Sequence, residues 1–125
     1  MRTKQDAIAA CMGFDGAVTE YPFGDFEWAA MRHGRGGKCF AFIFERGGVV
    51  NINVKVPTGA VPLLCEILPS AIPAYHMNKQ HWLGILLDGK NRDEDIMALI
   101  ADSYRLTSSL SQTKNALSDT IISNK

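Results

Sequence analysis

The stretch Val50-Asn51-Ile52-Asn53-Val54-Lys55-Val56 alternates apolar and polar residues without a break. Successive side chains of a strand point to opposite faces, so this spacing predicts a β-strand with one core face and one solvent face. The preceding stretch, Lys38 to Phe44, is apolar on both faces, as expected of a central, covered strand. Further upstream, Phe26 to Arg32 alternates Phe26, Trp28 and Ala30 against Glu27, Ala29 and Met31. The glycine-rich connections His33-Gly34-Arg35-Gly36-Gly37 and Arg46-Gly47-Gly48 join these three strands as hairpins, which predicts an antiparallel meander.

Pro57-Thr58-Gly59 ends the third strand, and Val61, Leu64, Cys65 and Leu68 then form one face of a short helix, with Pro62 tolerable in its first turn. Ile72 to Asn78 and Trp82 to Leu87 read as a second hairpin around Lys79-Gln80. Asp93-Glu94-Asp95 suits the positive end of a last helix, whose inner face is Ile96, Leu99, Ile100, Ser103, Thr107 and Leu110. At the other end Thr3 caps a first helix carrying Ala7, Ile8, Cys11 and Met12 on one face, and a turn-rich stretch from Phe14 to Gly24 follows. The order is therefore α-β-β-β-α-β-β-α. Strands grouped into hairpins, with no βαβ alternation, imply a two-layer α+β fold with helices packed on one face of an antiparallel sheet. Residues 1–110 form the domain and residues 111–125 a polar tail. Leu106, Leu110, Leu117 and Ile121 keep a loose helical spacing, so the tail reads either as an additional C-terminal helix or as a frayed end.

A chain of 125 residues that is 46% hydrophobic can close a single core without a disulfide or a structural metal. Cys11, Cys39 and Cys65 lack paired spacing and sit among apolar neighbours, as buried, poorly reactive thiols do in a reducing compartment. The brief apolar stretch near Met1 lacks the core of a signal peptide, and no run approaches a membrane span, so the expectation is a cytoplasmic, soluble protein.

Catalytic templates fail. The glycines at 34, 36 and 37 lie between two strands and do not form a dinucleotide fingerprint, and no phosphate-binding loop or nucleophile elbow is present. His76 and His81 fall on a hairpin without carboxylate or thiol partners, so no metal and no cofactor is expected. His33, in a glycine loop, reads as exposed. Charge is more informative. The thirteen cations balance thirteen carboxylates overall, yet residues 31–82 hold six cations against Glu45 and Glu66, a net of +4. Arg32, Arg35 and Lys38 bracket one glycine loop that could follow a phosphate backbone, and Arg46 and Lys79 extend the same basic region.

Pro73-Ala74-Tyr75-His76-Met77-Asn78-Lys79-Gln80-His81-Trp82 resembles the signature of the MmcQ/YjbR family, and Tyr21-Pro22-Phe23-Gly24, Lys38-Cys39-Phe40-Ala41, Leu87-Asp88-Gly89, Leu99-Ile100 and Ser103-Tyr104 match in order. The resemblance covers residues 1 to about 110. It implies a compact α+β fold similar to secretion chaperones and frataxin, and a DNA-binding group with a "double-wing" motif; it brings no catalytic residues. The chain departs at Lys55-Val56-Pro57-Thr58, where relatives often carry an acidic Lys-x-Asp-Pro-Glu type stretch, and in its long basic glycine loop. Two functions follow as expectations. One is a non-enzymatic DNA-binding or regulatory domain using Arg32, Arg35, Lys38, Arg46 and Lys79, and the other is a protein-interaction or chaperone-like module. Within the signature, His76, Asn78 and His81 form a polar edge suited to a ligand, while Trp82 is expected to anchor the hairpin in the core.

Overall fold

The protein is described by a computed structural model covering residues 1–108. Along them run helix α1 (Lys4–Met12), strands β1 (Ala17–Glu20), β2 (Ala29–His33), β3 (Cys39–Arg46) and β4 (Val49–Lys55), helix α2 (Val61–Ile67), strands β5 (Ala71–Pro73) and β6 (Trp82–Leu86), and helix α3 (Asp93–Thr107). The strands form one antiparallel sheet in the order β1-β2-β3-β4-β6-β5. The α+β architecture is the one that the alternation implied. Leu110 and the proposed C-terminal helix lie outside the described residues.

Three boundaries differ from the expectation, each for a local reason. Strand β1 arises inside the stretch read as turns. Ala17-Val18-Thr19-Glu20 carries little alternation of its own, and it is strand because it pairs with β2, from Ala17↔His33 to Glu20↔Ala30. Strand β2 starts only at Ala29. Residues 21–28 bend instead, with the Asp25 carboxylate accepting the Glu27 N–H at 2.9 Å. Strand β5 stops at Pro73, and residues 74–81 form a string of turns with His76 at a φ of +62°.

The helices begin where their sequence supplies caps. Thr3 and Asp6 exchange side chain-to-backbone bonds in a capping box at the start of α1, and the N–H of Arg2 together with that of Thr3 holds the Asp6 carboxyl below its usual range. In α3 the triplet Asp93-Glu94-Asp95 occupies the first turn. Ala7 and Cys11 of α1, Val61 of α2, and Ile96 and Ile100 of α3 meet Met31, Ala41, Ile43, Ile52, Val54, Leu83 and Ile85 in one core cluster. Pairing places the strand residues on one sheet face, since Met31 faces Ala41, Ala41 faces Val54 and Val54 faces Leu83. All three helices contribute to that face.

The register shifts between β2 and β3: Met31 pairs with Ala41 but Arg32 pairs with Cys39, which leaves Phe40 as a bulged extra residue. Phe40 is fully buried against Phe14, Tyr104 and His33. Beyond the last β3–β4 pair, Ala41↔Val54, the helix takes over the ladder. Lys55 N–H donates to Ser103 Oγ at 2.8 Å, and the Ser103 hydroxyl donates to the Phe40 carbonyl at 2.6 Å. His33, expected to be exposed, is drawn into this corner, its ring half-buried between Phe40 and Tyr104. Its Nε2 lies 2.8 Å from Thr107 Oγ1, whose own proton goes to the Ser103 carbonyl at 2.7 Å. Thr107 must therefore accept from an Nε2–H. Burial pushes the His33 pKa below its ordinary value.

The three cysteines are free. Burial raises Cys11 to about 12 and Cys39 to about 11, and it also raises Cys65, though that thiol is more open to solvent. Thiolate character is thereby suppressed in all three.

Two outcomes test this account. Ser103→Ala leaves a partly buried backbone N–H and a buried carbonyl without partners, so it is expected to cost about 1–3 kcal/mol, read as a lower urea midpoint at unchanged slope. A change too small to resolve would mean that the ladder closes without the hydroxyl. Because the folded-state pKa of His33 is lowered, its contribution is complete above the unfolded value of ~6.5 and is lost as pH falls through the folded value. Stability is thus expected to fall as pH drops below the unfolded value of about 6.5 in the wild type and to fall less in His33→Gln. Equal losses in urea titrations of the two proteins would contradict that assignment.

Candidate functional site

The face of the sheet opposite the core carries the residues at alternate positions: Ala30 and Arg32 of β2, Phe42, Phe44 and Arg46 of β3, Asn51, Asn53 and Lys55 of β4, and Trp82, Gly84 and Leu86 of β6. None of the described helices contributes to it. Two loops lean over it instead, residues 21–28 on the β1–β2 side and residues 74–81 on the β5–β6 side. This covering explains why Asn51 and Asn53, expected to face solvent, are only 3% and 0% exposed. Asn53 Nδ2 donates to the Tyr75 carbonyl at 3.2 Å and so fastens the second loop to the sheet, while its Oδ1 is buried without a partner. Gly84 makes room for this amide: a Cβ there would stand 3.3 Å from Asn53 Oδ1 and 3.2 Å from Ile72 Cγ1.

Aromatic rings line the same face. Trp28 stacks on Phe44 with centroids 3.9 Å apart and planes 8° from parallel. Phe23 and Phe42 meet Trp28 edge-on, Trp82 leans on Phe42, and Tyr75 leans on Phe44. Trp82 is therefore half-buried on the helix-free face and does not anchor the core. Phe44 is buried at the bottom, whereas Trp28, Phe42, Tyr75 and Trp82 keep partial exposure and Phe23 is 63% exposed.

The basic residues frame these rings. The Arg46 guanidinium sits 4.0 Å from the Tyr75 ring centroid. Lys55 lies across from Trp82 at the far end of the face. Arg32 is already engaged: its Nε lies 2.8 Å from Glu20 Oε1, as an ion pair rather than an aligned hydrogen bond, and its Nη1 donates to the Gly37 carbonyl at 3.0 Å. Glu20 in turn accepts from Gly36 N–H at 3.2 Å, so this pair folds the glycine loop towards the helix-free side. The loop is tight enough that a Cβ on Gly37 would stand 2.0 Å from the His33 carbonyl oxygen. Arg35 and Lys38 are exposed, and among the described residues their side chains make no hydrogen bond or ion pair, while the Lys38 carbonyl accepts the His33 N–H at 2.9 Å. Lys79 donates to the Ala74 carbonyl at 3.2 Å, which ties its own loop.

His76, Asn78 and His81 do not converge. Residues 74–81 are turns, so period-two alternation does not apply to them. His76 is exposed and packs on Tyr75, Asn78 Oδ1 accepts the Gln80 N–H, and His81 Nδ1 pairs with the Thr58 hydroxyl at 3.1 Å. The residues that reading the sequence passed over are Trp28, Phe42, Lys55 and Trp82. Their shared face was recorded in the alternation itself, since 42 and 44 oppose 41 and 43, and Lys55 follows Asn51 and Asn53. No group of three His, Cys, Asp or Glu side chains gathers at metal-binding distance among the described residues, and no described helix is long and apolar enough to cross a membrane.

The face can offer π surfaces and peripheral positive charge. Among the described residues it presents no paired nucleophile and base.

Comparison with known proteins places this geometry in a family. The uncharacterized protein YyaQ of Bacillus subtilis (strain 168) is 26% identical over 121 residues, covering 86% of this chain and 99% of that protein. The uncharacterized protein YbdF of Escherichia coli O157:H7 is 38% identical over 71 residues, 57% of this chain and 58% of its own length. Among solved structures, a Pseudomonas syringae protein superposes with a TM-score of 0.69 at 31% identity, covering 86% of this chain and all of its own. The Deinococcus radiodurans protein DR2400 shares the fold, with a TM-score of 0.77 at 24% identity, covering 91% of this chain and 88% of its own. The YjbR family model matches residues 12–106, a span that runs from the last residue of α1 almost to the end of α3 and includes the whole helix-free face, and the chain belongs to the YjbR family.

Proposed function

We propose that this domain binds nucleic acid without catalysis and that the helix-free face of the sheet, with its two bordering loops, is the contact surface. The observation supporting this reading is the distribution of charge: Arg32, Arg46 and Lys55 lie on the face that also carries the aromatic rings, and Arg35, Lys38 and Lys79 lie in the loops that follow β2 and β5. Arg35, Lys38, Arg46, Lys55 and Lys79 are assigned to phosphates. Arg32 is assigned to holding the glycine loop through Glu20 and Gly37. With a formal net charge of zero the chain has no global attraction for a polyanion, so affinity depends on this local patch and falls steeply with salt.

A second reading, a protein-interaction module, is favoured by a different observation. Leu63 and Ile67, one helical turn apart on α2, are 60% and 62% exposed, and Phe26 is 76% exposed.

A salt titration of binding to a fluorescent oligonucleotide separates the two. Arg46→Ala and Lys55→Ala are each expected to flatten the logarithmic salt slope by about one unit across unrelated sequences. Lys114→Ala, remote in sequence from the patch, is expected to leave it unchanged. Absence of binding at low salt, or equal loss from all three variants, would overturn the nucleic-acid reading. Co-purification of a protein that Leu63→Glu abolishes would support the second.

A further inference from the structure

Nucleic acid reaches a protein either as a duplex, whose bases are stacked and paired inside, or as a single strand, whose base faces are free. The two demand different surfaces. Duplex readout needs an element that enters a groove, most often a helix presenting polar and cationic side chains. The described helices do not fit that demand. Helix α2 is seven residues long, and its outward side carries Leu63, Glu66 and Ile67 with no cation. In α1 the one cation, Lys4, is spent on the carbonyls of Phe26 and Glu27 at 2.8 and 3.1 Å. Helix α3 opens on three acids, and its one cation, Arg105, is paired with Asp102 at 2.9 Å.

The sheet face satisfies the other demand. Trp28, Phe42, Tyr75 and Trp82 are partly exposed there, Phe23 stands open at one border, and Arg46 and Lys55 flank the rings at the two ends of the face. Partly exposed rings flanked by cations can take bases by stacking and the backbone by charge, which is how single strands are held without a groove.

Building on the nucleic-acid reading above, we infer that the ligand is single-stranded, laid across the helix-free face with its bases against Phe23, Trp28 and Trp82 and its phosphates towards Arg46, Lys55 and the Arg35–Lys38 loop. The strand is recognised by unpaired bases, and sequence preference is weak because every base has a π face.

The test compares a mixed-sequence single strand of about 12 nucleotides with the duplex it forms with its complement, on the full chain at low salt. The single strand is expected to bind at least about tenfold more tightly and to quench tryptophan emission on binding. Trp82→Ala is expected to weaken single-strand binding about tenfold with little effect on any residual duplex binding. Trp28 covers the buried Phe44, so its removal risks the fold. Phe23→Ala, at a site 63% exposed, therefore serves as the second variant and is expected to weaken single-strand binding several-fold. Duplex binding as tight as single-strand binding, or single-strand affinity unchanged in both Trp82→Ala and Phe23→Ala, overturns this inference while leaving the broader reading in place. Failure of both nucleic acids to bind removes the two together.

Discussion

The sheet is asymmetric because one residue too many is inserted at Phe40. With strict alternation Phe40 would share a face with Phe42 and Phe44. The bulge rotates it to the helix side, where it meets Phe14, Tyr104 and His33. That rotation interrupts the β3–β4 ladder, and a single hydroxyl repairs it: Ser103 accepts from Lys55 N–H and donates to the Phe40 carbonyl. Such a bridge is worth more than an ordinary hydrogen bond because a buried carbonyl and a partly buried N–H would otherwise lose their partner. It also fixes where α3 crosses the sheet, which in turn puts Thr107 beside His33. The core corner and the position of Lys55 on the far face thus share one origin.

The alternation of Val50 to Val56 was enough to place β4 and to assign its apolar half to the core. It could not say what lies on the other half. Asn51 and Asn53 look like solvent-facing residues in a list of hydropathies, and they are buried because loops 21–28 and 74–81 fold over them. That covering is a long-range fact: Asn53 reaches Tyr75, 22 residues on, and Trp28 reaches Phe44. Strand β1 was hidden for a related reason, since Ala17 to Glu20 is strand through its partner and not through its own composition. The glycine loop's charge was legible, but its direction was not, because that depends on Glu20 holding Gly36 and Arg32 together. The histidines misled in the opposite sense. His76 and His81 stand in a conspicuous string, yet their partners are a tyrosine ring and a threonine hydroxyl.

The two faces divide the work of the molecule in chemical terms. The helix side is closed, aliphatic at its centre with Ile43, Ile52, Ile85, Ile96 and Ile100, and aromatic only at the Phe14–Phe40–Tyr104 corner. The other side is aromatic and ringed by charge. Flat rings held by contact with one another, as Trp28 is on Phe44 and Tyr75 is under Arg46, keep polarised surfaces available without the entropy of a mobile side chain. A face built this way is pre-organised, and a ligand docking there would leave less ordering to be done.

Lys4 gives the arrangement a mechanical side. It belongs to helix α1, on the core side of the sheet, yet its ammonium reaches the carbonyls of Phe26 and Glu27 in the loop that borders the opposite side. A single amine therefore works as a mooring line from one side of the sheet to the other. The loop carrying Phe23 and Phe26 cannot swing away without dragging the first turn of α1 or casting off that line. Capping the amine with an acetyl group would remove the charge that holds both carbonyls and leave the aromatic loop resting on Trp28 against Phe44 and Tyr21 against the core.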